Sequence, residues 1–157
     1  MDTIQFFIVE FINEEFDSHH FEIQIYINSS DLMDLVERIE RAVLDPQNLD
    51  SSSGRSYAGL NPEWCPGLRD EFLGKGQSPY TVLLTCTCFQ DGCNSIMAKI
   101  EIGDKTVIWK DFTSVLHGEQ ARSWGGRLVD YSGLGPFVFD RERYIEALNA
   151  LRLDQYR

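Results

Sequence analysis

Four cysteines and one histidine are the residues whose spacing could do chemistry. Cys86-x-Cys88-x4-Cys93 sits in one short run, with Cys65 upstream and His117 downstream. Three chemistries compete for them. In the first, Cys86, Cys88 and Cys93 hold zinc with Cys65 or His117 as fourth ligand. Tetrahedral zinc keeps its thiolate sulfurs about 3.8 Å apart. Residues i and i+2 of an extended strand share a face but stand roughly 7 Å apart, so the strand would have to bend there. In the second, Cys88 and Cys93 flank the loop Phe89-Gln90-Asp91-Gly92 and face each other as a disulfide or redox pair. In the third, the thiols are reduced and pack as small hydrophobes. Cys86 and Cys88 alternate in step with Val82 and Leu84, which favours packing.

Other candidates carry less. Cys93 beside Gly92 with His117 downstream would make a thiol nucleophile only if the fold brought a base to it. Adjacent His19 and His20 on a strand point to opposite faces and make a poor chelate. Asp140 and Glu142 read as a helix cap and an exposed first turn, not as paired catalytic carboxylates. Gly125, Gly126, Gly133 and Gly135 do not follow a strand and open a helix, as a phosphate-binding loop requires. No catalytic signature is assembled.

The elements that must position these residues follow from periodicity. Residues 4–12 are apolar on both alternating faces, as in a strand covered on two sides. Residues 21–27 put Phe21, Ile23, Ile25 and Ile27 on one face and Glu22, Gln24 and Tyr26 on the other, a half-buried strand. Residues 13–18 join the two as a hairpin. A helix follows, capped by Ser29 or Ser30, with Asp31 and Asp34 in its first turn. Its stripe is Leu32, Leu35, Val36, Ile39 and Val43, and Asp45-Pro46 ends it.

Residues 46–80 are irregular, with one or two helical turns over 68–73 closed by Gly74. Strands over 81–88, 96–102 and 105–112 form a cysteine-bearing meander. Gly103-Asp104 is a two-residue turn that sets Ile100 opposite Val107 and Ala98 opposite Trp109. That pairing and a Cys88–Cys93 pairing put apolar residues on opposite faces unless 93–95 bulges or the register is offset by one. Residues 113–136 are loop-rich. Phe137-Val138-Phe139 is a short strand, and Asp140 caps a last helix striped by Tyr144, Ile145, Leu148 and Leu151. The expected fold is α+β over a single domain, 1–157. An antiparallel sheet, built from the N-terminal hairpin and the meander, carries two main helices.

The chain is 43% hydrophobic with a net charge of −11, the composition of a folded acidic domain. The charge is concentrated. Residues 1–50 hold twelve Asp and Glu against Arg38 and Arg41, whereas residues 51–157 are nearly balanced. Such a surface repels phosphate, which argues against nucleic acid and anionic membranes and suits a basic protein partner. The run Phe6-Phe7-Ile8-Val9 lacks the basic flank of an export signal, and no stretch approaches the ~18 apolar residues of a membrane span. The expected compartment is the cytoplasm, where reduced thiols are the default.

Three motifs resemble a family of uncharacterised bacterial proteins. They are Leu83-Leu84-Thr85-Cys86-Thr87-Cys88 through Gly92-Cys93, then Val107-Ile108-Trp109-Lys110-Asp111-Phe112, then Phe137-Val138-Phe139-Asp140-Arg141 with Tyr144. The family's forms are a C-x-C-G-x-x-G-C hairpin, a V-x-W-x-x-F strand and an F-x-F-D-R-x-x-Y helix start. Asp31-Leu32-Met33-Asp34-Leu35-Val36 is similar to its first helix. Phe89 stands where the family has Gly, and Asn94 where it often has an aromatic. The resemblance implies a bacterial, intracellular setting and no particular activity. The expected function is a non-catalytic binding protein, of the kind that neutralises or protects a partner, with its acidic N-terminal third as the contact. The alternative is a zinc-binding or thiol-dependent protein using Cys86, Cys88 and Cys93.

Overall fold

Residues 4–27 fold as the expected antiparallel hairpin. Strand β1 (Ile4–Asn13) pairs along its whole length with β2 (Ser18–Ile27), from Ile4 opposite Ile27 to Asn13 opposite Ser18. The computed structural model describes residues 1–42, 57–63, 67–86, 94–115 and 129–152. Ile4 and Phe6 on β1 and Ile23, Ile25 and Ile27 on β2 are buried, so one face of the hairpin lies on the core. The other face of β1 is not covered as its apolar pattern predicts. Phe7 is 46% exposed, and its ring leans edge-on against Tyr26 instead of a second layer.

Asn28 and Ser29 both take positive φ and make a tight turn into the two-residue strand β3 (Ser30–Asp31), the backbone that a right-twisted two-residue hairpin needs. Ser29 is thus spent on the turn and Ser30 on β3, and Asp31 caps α1 (Leu32–Arg41) by accepting from the Met33 amide at 2.9 Å. The end expected at Asp45-Pro46, and Val43, lie outside the described residues.

The meander is part of a five-stranded antiparallel sheet in the order β4-β5-β6-β7-β8. Its strands are β4 (Ala58–Gly59), β5 (Thr81–Thr85), β6 (Ser95–Ile102), β7 (Thr106–Ser114) and β8 (Phe137–Asp140). The short α2 (Leu68–Phe72) precedes β5, and α3 (Arg141–Asn149) follows β8. As expected, α2 stops at Gly74. There φ is positive, Gly74 donates to the Glu71 carbonyl and Lys75 to that of Asp70, the paired bonds of a glycine C-terminus. Asp140 caps α3 through the Arg143 amide at 3.0 Å.

One register expectation is corrected. The β6–β7 turn is centred one residue later than Gly103-Asp104. Gly103 donates to the Thr106 carbonyl, Ile102 lies opposite Val107 and Ile100 opposite Trp109. No residue from Gly103 to Lys105 has a positive φ, so the mirror-image turn that glycine would favour is not used. The slip is two residues in pairing, which keeps Ile96, Ala98, Ile100, Val107 and Trp109 on one face.

Of the two arrangements expected around 93–95, the pairing is the one offset by one residue: Leu84 lies opposite Ile96 and Thr85 opposite Ser95, where a Cys88–Cys93 register would set Leu84 opposite Met97. One bulge lies in β5, where Leu83 is the extra residue between the pairs Val82–Met97 and Leu84–Ile96. A second lies in β7 between the pairs Lys99–Lys110 and Met97–Thr113. Asp111, at φ 54, is in the second bulge. Each switches the inward phase by one residue, so Leu83 and Leu84 are both buried, and Phe112 and Ser114 follow Val107 and Trp109 inward.

The two sheets meet at both edges of the larger one. The Asp2 amide donates to the Val138 carbonyl at 2.9 Å, and the Ile23 amide to the Leu60 carbonyl at 2.8 Å. Two isolated bridges, Asp2 with Phe139 and Ile23 with Leu60, thus join the three-stranded sheet β1-β2-β3 to both edges of the five-stranded one. Inside, Phe6, Phe72, Trp109, Phe139 and Tyr144 pack ring against ring. The Trp109 indole donates to the Tyr144 hydroxyl at 3.2 Å, which donates to the Phe72 carbonyl at 2.7 Å. That chain fastens α2 and α3 to β7.

Gly59 stands at the second seam with no room for a side chain. A Cβ there would lie 2.3 Å from the Ile23 carbonyl oxygen. Gly59→Ala is expected to cost about 1–3 kcal/mol, read as a lowered midpoint in urea denaturation. An unchanged midpoint would show that the seam is not closed as described.

Candidate functional site

The acids of the first fifty residues divide into three groups in the structure. Glu22 and Glu40 are buried, at 0% and 1% exposure. Asp2 and Asp31 are engaged by backbone amides: Asp2 accepts from Val138 at 2.8 Å and from the Asn28 side chain at 2.8 Å. Those bonds, Asn28 first, hold its carboxyl below the usual range. Of the rest, Asp45 and Asp50 lie outside the described residues, exposed Asp34 and half-buried Glu37 stand on α1, and an exposed set collects at the end of the hairpin. Glu10, Glu14, Glu15 and Asp17 are all exposed there.

The hairpin exposes them because it outgrows the core. Along the inward row of β1, Ile4 and Phe6 are buried, Ile8 is half-buried, and Glu10 and Ile12 are exposed. Ile12 is 69% and Phe16 72% exposed. Glu10, Glu14 and Asp17 stand with Ile12, Ser18 and His19 around a hollow of about 250 Å³. On the opposite face Phe11 stacks on His20 at 5.4 Å between ring centres. A two-stranded ribbon has little stability of its own, and large apolar side chains among carboxylates at its tip are a surface suited to contact.

The thiol site is placed only in part. Cys86 follows β5 directly and is half-buried. Cys65, Cys88, Cys93 and His117 lie outside the described residues. Among the described residues no three His, Cys, Asp or Glu side chains stand where they could hold one metal ion. The histidines at 19 and 20 face opposite ways, as their adjacency requires. His20 pairs with Glu22 at 2.7 Å, whereas His19 sits edge-on to Phe21.

Two buried carboxylates escape the sequence reading. Glu22 occupies the face assigned to solvent, yet it is enclosed: Oε1 accepts from the Gly59 amide at 2.8 Å and Oε2 meets the His20 imidazole. Nothing in the alternation of β2 signals this, because the covering segment comes from residue 59. Glu40 is different. Leu32, Val36 and Glu40 recur every fourth residue of α1, so Glu40 stands on the buried stripe. Its Oε1 accepts from the hydroxyls of Tyr57 and, at 2.8 Å, Tyr131. The Tyr57 hydroxyl accepts in turn from the Asn94 side chain at 2.9 Å, and Asn94 from Ser114 at 2.7 Å. Burial first, and the Glu40 charge second, push both phenols well above their ordinary range. Burial does the same at Tyr144. Among the described residues the cluster is arranged as a structural anchor: Glu40 ties two phenols together, and Asn94 links Tyr57 to Ser114.

No protein-family model, curated protein or solved structure matches this chain.

Removing the acceptor strands two buried hydroxyls, so Glu40→Ala is expected to cost about 3 kcal/mol and Tyr131→Phe about 1–2 kcal/mol. Alkali tests the same cluster. The folded state holds its phenolic protons beyond pH ~10, where the unfolded chain releases them. Unfolded protein then binds fewer protons than folded, so stability falls as pH rises above about 10, by up to about 1.4 kcal/mol per unit for each buried tyrosine. Urea titrations between neutral and alkaline pH should show this limb, and Tyr131→Phe should make it shallower. A stability flat across that range would contradict burial of the phenols.

Proposed function

We propose that this protein is a non-catalytic, cytoplasmic binding protein that captures a basic protein partner with its N-terminal hairpin. The motifs in β5, β7 and α3 suggest a bacterial setting, and the acidity of the first fifty residues suits a module that neutralises or protects such a partner there. The observation that carries the reading is the hairpin tip. Exposed Ile12 and Phe16 stand among Glu10, Glu14 and Asp17, beyond the reach of the core. Carboxylates around apolar side chains favour lysine and arginine, whose aliphatic stems cover the apolar surface while their charges meet the acids. Glu10, Glu14, Glu15 and Asp17 put four negative charges at this one end, with no Lys or Arg before Arg38 to offset them, so attraction is concentrated there.

The test compares two triple reversals with the same change in net charge. Glu10→Lys, Glu14→Lys and Asp17→Lys alter the hairpin. Asp104→Lys, Glu142→Lys and Glu146→Lys alter exposed positions elsewhere. Binding of a short peptide alternating lysine and valine is measured by calorimetry at low and physiological ionic strength. Three exposed charge contacts are worth about 1.5 kcal/mol together, so the hairpin variant should bind at least about tenfold more weakly. The control should stay within about threefold. Equal losses in both would reduce the effect to net charge and defeat the proposal.

A further inference from the structure

The hairpin offers more than charge. The Asn28 amide donates to the Thr3 carbonyl, the Asp2 amide to Val138 and the Ile23 amide to Leu60. These bonds fix the pleat. Odd residues of β1 from Thr3 onward direct their backbone groups at β2, and even residues direct theirs away from it. Ile4, Phe6, Ile8, Glu10 and Ile12 therefore aim N–H and C=O groups at the outer edge. Near Ile4 and Gln5 that edge is flanked by Arg143, Tyr144 and Ala147 of α3. From Ile8 to Ile12 no described strand pairs with it.

We infer that this open edge takes an extended basic segment of the partner as an added strand. The inference rests on the proposed function and specifies how the partner is held. The side chains beside the edge state what the segment must look like. Phe7, Val9 and Phe11 line one face, and Glu10 stands between Ile8 and Ile12 on the other. A strand lying alongside meets apolar neighbours on the first face and a carboxylate on the second. Its residues therefore alternate apolar and basic, and the stems of the basic ones cover Ile8 and Ile12. Backbone pairing supplies affinity and the alternation supplies selectivity, as in other strand additions. A second copy of this chain is a poorer occupant. Two β1 edges paired over Ile8–Ile12 bring Glu10 against Glu10 and the acidic tips into mutual repulsion.

The test uses the full chain and two peptides. One alternates lysine and valine. The other has the same sequence, N-methylated at every second backbone nitrogen on its pairing edge, which keeps charge and side chains but removes ladder hydrogen bonds. Hydrogen exchange is followed residue by residue by NMR. The unmodified peptide should slow exchange of the Ile8, Glu10 and Ile12 amides at least about tenfold. The Val9 and Phe11 amides, already bonded to β2, should change little. The methylated peptide should bind at least about tenfold more weakly. Ile12→Pro, which removes one outward N–H without touching the β2 ladder, should weaken binding more than Ile12→Ala.

Equal binding of both peptides with no change at the three amides would overturn strand addition and leave charge capture standing. Binding of neither peptide would overturn both. Protection of the same amides that grows with protein concentration, without peptide, would assign the edge to self-association and overturn the inference.

Discussion

One carboxylate holds the far ends of this fold together. Glu40 leaves the last turn of α1 and accepts two phenolic hydroxyls, one from Tyr57 just ahead of β4 and one from Tyr131 ahead of β8. Asn94 extends the cluster to the start of β6, and Ser114 to the end of β7. A charge placed there is costly unless every neighbour donates to it. The cost gives the cluster its selectivity: a packing that misplaced any one of these strands would leave the carboxylate or a phenol without its partner.

The aromatic core and the polar cluster divide the work. Trp109, Phe72 and Tyr144 fix α2 and α3 against β7 through ring packing and one chain of hydrogen bonds. The Glu40 cluster fixes the opposite connections. Between them, the hairpin of β1 and β2 is held firmly at its base, by Ile4, Phe6, Ile25 and Ile27, and not at all by the core at its tip. A ribbon anchored in this way has its strands already paired from base to tip, so its outer edge and its acids are presented together.

Much of this architecture was legible in the residues. The hairpin, α1, the closure of α2 at Gly74, the Asp140 cap and the stripe of α3 all depend on contacts within a few positions, and local patterns report them. The register of β6 with β7 did not survive, because the turn is centred one residue later than Gly103-Asp104, and alternation could not reveal the extra residues Leu83 and Asp111. Strand β4 is two residues long and leaves no pattern. The acidity of the first fifty residues was plain, but which acids face water was not. Glu22 is enclosed by Gly59, and Glu40 by Tyr57 and Tyr131, all remote in sequence. Only the fourfold recurrence of Leu32, Val36 and Glu40 gave any sign of it. The cysteine run was legible as a pattern, and only Cys86 of it falls within the described residues.

The bulge at Asp111 sets the phase of the end of β7. The position holds a positive φ, which glycine and short polar residues take at least cost, while its side chain is exposed and its tie to Lys99 is a surface contact at 3.4 Å. A strand of the same length in plain alternation would turn Phe112 and Ser114 outward, and with Ser114 would go the support of Asn94 beside Tyr57. A strand that lacked position 111 would keep both inward by plain alternation. Related sequences should thus either carry Asp, Asn or Gly at 111 or lose the position and the bulge together.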